Sequence, residues 1–162
     1  MPTVNGMDQD ALLAFKHEVA DDSTRADRWP TVVAHWVGES RSRIEFNDVV
    51  THIGGDEELN PMQYVLASFA ACDVDLVAMH AAMIGLEITS LSVEASGHFN
   101  VQSFMGLDGR PGPGYDQISY KVRLDAPDAT PDQIAYLREP CEQSSPVGDS
   151  LSRSIPMELE FA

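Results

Sequence analysis

A chain of 162 residues with 43% hydrophobic content is long enough to build one domain around a real core. Asp and Glu outnumber Lys and Arg by 26 to 10, for a net charge of −16, which argues against nucleic acid and anionic membrane surfaces as partners, since both are bound through Lys and Arg. Two cysteines make no disulfide scaffold, and MPTVNGMDQD lacks the basic and apolar stretches of a secretory signal, so the expected location is cytoplasmic, with reduced thiols.

The first element is a helix over residues 8–20, with Leu12, Leu13, Phe15 and Val19 at helical spacing and Asp8 as a cap. A polar linker follows, so residues 1–30 read as an N-terminal helical arm and linker, and residues 31–162 as the main domain. Thr31–Val37 is β-branched and reads as a strand, Arg41–Phe46 returns after Gly38-Glu39-Ser40, and Asp48–Ile53 makes a third short strand. Gly54-Gly55 opens a loop into the longest apolar stretch. Of the 24 residues from Pro61 to Ile84, 18 are apolar or aromatic. Asn60 reads as an N-cap, Pro61 as a first-turn proline and Gly85 as the stop. Such a helix is about 36 Å long at 1.5 Å per residue. Being apolar almost all round, it needs protein on nearly every side. Asp73 and Asp75, in mid-segment, disfavour a membrane span.

Beyond Gly85, Glu87–Phe99 and Tyr115–Leu124 alternate with period two and form a long hairpin whose irregular tip is Gly106–Gly114. Thr130-Pro131 starts a helix that Pro140 interrupts, Ser144-Ser145-Pro146 caps a second short one through Leu151, and Pro156–Phe161 alternates as a last strand. Strands grouped on either side of one buried helix indicate an α+β fold with antiparallel sheet. Covering that helix requires a homodimer.

Cys72 lies near the middle of the long helix. It is either inert packing, the common fate of a free cysteine, or a reactive thiol. His17, His35, His52, His80 and His98 show no metal-ligand spacing, and neither metal nor cofactor is expected.

Three segments together resemble the OsmC/Ohr superfamily: GGDEELNPMQYVLASFAAC, MIGLEITSLSVEASG and SSPVGDSLSRSIPMELEF. The resemblance implies antiparallel sheets around a long central helix in an intertwined homodimer. It makes Cys72 the peroxidatic thiol of an organic hydroperoxide reductase that needs an external thiol reductant. It also asks for an assisting arginine, which Arg41 or Arg43 could supply. The family's glutamate after the Asn-Pro pair is Met62 here, and its resolving cysteine is Ser145. Cys141, four residues earlier, is the remaining candidate resolving thiol. The thiolate is the nucleophile, and burial, a mid-helix position and the charge of Asp75 at i+3 all oppose it. The alternative is a relative without peroxidase turnover that binds a small apolar ligand at the dimer interface.

Overall fold

The computed structural model describes residues 3–107 and 112–161. In chain order it has β1 (Thr3–Val4), β2 (Met7–Asp8), α1 (Gln9–Asp21), a 3-10 turn (Ser23–Ala26), β3 (Val33–Trp36), β4 (Arg41–Phe46), β5 (Val49–Gly54) and α2 (Pro61–Met83). There follow β6 (Ser90–Phe99), β7 (Tyr115–Asp125), α3 (Pro131–Gln143) and α4 (Pro146–Ser152). All pairings are antiparallel, and the long helix is central in the sequence, so the class is α+β as expected. Contacts divide the chain into two compact units, residues 10–67 and residues 1–9 with 68–162.

In the first unit β3–β4–β5 form a three-stranded meander, with Val33 opposite Glu45 and Arg41 opposite Gly54. Gly54 ends β5 at φ +86°, and a Cβ there would lie 2.0 Å from the Ser40 carbonyl oxygen. Only glycine fits both conditions. The Gly54 amide then donates to Leu59 O (2.9 Å), closing the loop ahead of α2. Asn60 and Gln63 cap that helix reciprocally: the Gln63 amide donates to Asn60 Oδ1 and the Asn60 amide to Gln63 Oε1, each at 2.9 Å.

In the second unit β6 and β7 pair from Ser90↔Asp125 to Phe99↔Tyr115, with an irregularity at His98/Phe99. Part of the expected tip, residues 108–111, lies outside the described residues. Val77 and Ala81 of α2, Leu86, and Leu137 and Cys141 of α3 form the core, and Leu91, Val122 and Leu124 of the hairpin pack against it. The small β1–β2 hairpin, absent from the sequence reading, is pinned by Asn5, whose amide donates to Leu86 O (3.0 Å) and whose Oδ1 accepts from the Ile88 amide (2.9 Å).

Three expectations need correction. Pro140 does not interrupt α3, which continues to Gln143; so close to the helix end, a proline forfeits little more than one backbone hydrogen bond. Residues 156–161 form no strand, because a strand needs a hydrogen-bonded neighbour and none is offered among the described residues. Finally, α2 is not covered on nearly every side within one chain: its buried residues are Phe69, Asp73, Leu76, Val77, Ala81 and Ala82. By length and composition it could cross a membrane, yet its buried stripe faces protein.

Candidate functional site

The site is built where α2 meets the α3–α4 junction. Cys72 is half-buried on α2, and its sulfur accepts a hydrogen bond from Ser145 Oγ at 3.7 Å. The local sequence explains why Ser145 is there. A residue before proline is pushed towards extended backbone, and Ser145 adopts φ −68°, ψ 110° before Pro146. It is therefore the N-cap of α4, and its Oγ accepts from the Gly148 amide at 3.1 Å. Only 3% of Ser145 is exposed.

Asp73 follows Cys72 in sequence but faces inward, with Phe69 at i−4, Leu76 at i+3 and Val77 at i+4 on the same buried stripe. It is 0% exposed, and neither carboxylate oxygen has an aligned hydrogen-bond partner among the described residues. Burial pushes its carboxyl above the usual aspartate value, and the nearby Ser145 hydroxyl pulls part of the way back. Asp75, expected to oppose the thiolate, is exposed, and the buried carboxyl of the two is Asp73.

Cys141 is buried, and its thiol donates to Leu137 O of its own helix at 3.9 Å. Burial first, and the charge of Asp73 second, push that thiol up to about 11. Tyr120 of β7 is also raised, by burial and then by Asp73, and its ring meets Phe69 edge-on at 4.8 Å. Phe69, Tyr120, Cys141, Ser145, Gly148 and Leu151 line a cavity of about 440 Å³.

The sequence-derived candidates separate into two groups. Cys72 and Cys141 lie in the unit just described, with Ser145 rather than Cys141 on the Cys72 sulfur. Arg41 and Arg43 lie on β4 in the other unit. Arg41 Nη2 binds Glu58 Oε1 at 2.6 Å, while its Nε is buried without a hydrogen-bond partner among the described residues. Arg43 pairs with Glu45. Arg41 is held by a carboxylate, supplied by Glu58 two residues before Asn60. Nothing in the run Asp56-Glu57-Glu58 tells which acid turns to an arginine. Asp73 was equally hidden, because a helix apolar all round does not declare which face is inside.

The model of the family described as OsmC-like protein matches residues 54–160. No curated protein sequence matches. Among solved structures, the fold is similar to an OsmC-like protein from Mycoplasma pneumoniae (TM-score 0.65, 14% identity, 78% of this chain and 89% of that one). It is also similar to organic hydroperoxide resistance proteins from Elizabethkingia anophelis (TM-score 0.53, 13% identity, 76% and 88%) and Legionella pneumophila (TM-score 0.52, 14% identity, 76% and 89%).

Proposed function

Because this chain belongs to the OsmC-like family, whose solved members include proteins titled for organic hydroperoxide resistance, we propose that it reduces organic hydroperoxides through Cys72. The observation that carries the reading is the Ser145 hydroxyl on the Cys72 sulfur at 3.7 Å. That polar contact sets Cys72 apart from an inert packing thiol, and the residue is half-buried, open enough to meet a small substrate. The thiolate attacks the peroxide O–O bond; an S–O bond forms, the O–O bond breaks, and the leaving alkoxide takes a proton to become an alcohol. Cys72 is left as a sulfenic acid. An external thiol then forms a mixed disulfide with release of water, and a second thiol restores Cys72.

Cys141 stays outside this cycle. Its buried thiol is held protonated far above neutral pH, so it supplies almost no thiolate for exchange. Of the two β4 arginines, Arg43 is paired with Glu45, while Arg41, held by Glu58, keeps an Nε donor with no hydrogen-bond partner among the described residues. The protein works as a cytoplasmic homodimer in this reading.

A second reading draws on the cavity. A cavity of about 440 Å³ whose lining mixes Phe69, Tyr120 and Leu151 with Asp116, Glu142 and Asp149 suits a small amphipathic ligand, held without turnover.

One assay distinguishes them. With excess small-molecule dithiol, purified protein consumes tert-butyl hydroperoxide, Cys72→Ser abolishes consumption, and mass spectrometry after one equivalent of peroxide finds Cys72 oxidised and Cys141 free. No consumption, together with uptake of an apolar fluorophore that Cys72→Ser leaves unchanged, selects the binding protein instead. A Cys72–Cys141 disulfide would restore Cys141 as the resolving thiol.

A further inference from the structure

We propose that a second cleft, between α3 and β7, binds a neutral aliphatic alcohol with its tail inward and its hydroxyl at the mouth. Two periodicities build the cleft. On β7, Tyr120, Val122 and Leu124 share one face of the hairpin. On α3, Leu137 and Cys141 stand one turn apart in a buried column, and Ile134, Arg138 and Glu142 form a neighbouring column nearer to water. With Val77 of α2, these two faces enclose about 380 Å³, within the size range of small-molecule sites. Tyr120, Cys141 and Glu142 also border the 440 Å³ cavity described above, but Val122, Leu124, Ile134 and Leu137 line this cleft alone of the two.

The lining is graded from inside to outside. Val77 and Leu137 are each 2% exposed, whereas Ile134 is 43% and Tyr120 42% exposed. Arg138 and Glu142 hold much of their side chains in water. The inner wall is aliphatic apart from the Cys141 thiol, which already donates to Leu137 O at 3.9 Å. Its depth therefore recognises a tail, and polar recognition is confined to the mouth.

The mouth selects the head group by charge. Arg138 Nε binds Glu142 Oε1 at 2.6 Å, so the pair is neutral as a whole. That bond uses one of five guanidinium N–H groups and one of two carboxylate oxygens, and Tyr120 adds a hydroxyl beside them. An alcohol both accepts and donates, so it joins the pair without breaking it. A carboxylate would face Glu142 and a chain of net charge −16, and an ammonium would face Arg138. Either ion would also give up water at the edge of an aliphatic cleft.

The proposal stands apart from the peroxide reading, since neither the tail nor the head contacts Cys72, and Cys72→Ser should leave binding unchanged. The probe is 1-octanol, titrated into full-length protein and followed through the methyl NMR signals of Val122 and Leu124. Saturable binding is expected, tightening roughly fourfold for each methylene added from 1-hexanol to 1-octanol, the return on burying one CH₂. Octanoate and octylammonium should bind at least roughly tenfold more weakly. Ile134→Trp, which fills the cleft from its half-exposed edge, should abolish octanol binding, while Leu151→Trp in the 440 Å³ cavity should not change it. Glu142→Gln keeps the shape of the side chain but leaves the Arg138 charge unopposed, so octanoate should overtake octanol. The proposal is overturned by any of four results: no saturable binding, a charged head group bound as tightly as octanol, an unchanged preference in Glu142→Gln, or loss with Leu151→Trp but not with Ile134→Trp. Should Ile134→Trp not fold, wild type decides: NOEs from the octanol terminal methyl to Val122 and Leu124 support the site, and their absence overturns it.

Discussion

At the scale of single residues, the buried Asp73 carboxyl costs the fold stability. Its carboxyl titrates above the usual aspartate value because it is desolvated. Between the unfolded and folded values the native state binds more protons than the unfolded chain, so stability falls as pH rises through that window. Above both values the penalty is constant. Asp73→Asn removes the ionisation penalty while keeping a buried polar group of the same shape, and the variant is expected to be more stable than wild type at neutral pH by about 1.4 kcal/mol for each pKa unit of the shift. Urea midpoints measured against pH check this. The difference between the two proteins should vanish in acid, where Asp73 is protonated in both states, and open as pH rises. A constant difference would mean that the effect is packing alone. None of this was legible beforehand. Cys72 stood out because a thiol in a long apolar helix is conspicuous, whereas Asp73 and Asp75 look alike in AACDVD until the fold chooses one face of α2. Glu58 was hidden for a related reason: its contact with Arg41 depends on how the loop after Gly54 closes.

Secondary-structure elements were far more legible than contacts. Asn60-Pro61 and Gly85 bracketed α2, and the alternation of Glu87–Phe99 and Tyr115–Leu124 gave the β6–β7 hairpin, since both signals are local. The two-residue strands β1 and β2 carry too little pattern to read. Pro156–Phe161 has the opposite difficulty, a strand pattern with no pairing partner among the described residues. The β5–α2 connection offers the sharpest test at this scale. Gly54→Ala combines a left-handed backbone with a Cβ placed 2.0 Å from Ser40 O. It should lower stability by at least about 1–3 kcal/mol, the usual cost of one such strained residue. Gly114→Ala, with nothing within 4 Å of its Cβ, is the matched control and should be near neutral. Equal melting temperatures for the two variants would refute the close approach at Gly54.

For the whole molecule, the single chain leaves apolar surface that water should not see. Only a minority of α2 is buried, and Met157, Leu159 and Phe161 are 92%, 88% and 95% exposed along an alternating C-terminal segment. Contiguous apolar exposure of this kind marks an interface. The expected outcome in sedimentation is a dimer at micromolar concentration, with removal of residues 156–162 shifting the balance towards monomer. Because each chain carries a net charge of −16, association should tighten as salt screens the repulsion. A well-folded monomer at micromolar concentration would sink this assignment.

Ser145 has a consequence on an evolutionary timescale. One oxygen atom both starts α4, by receiving the Gly148 amide, and touches the Cys72 sulfur. Placing a thiol at this position would surrender the cap, since sulfur is a poor acceptor for a backbone amide. Each change that leans on the capped α4 therefore makes a cysteine at 145 harder to accept.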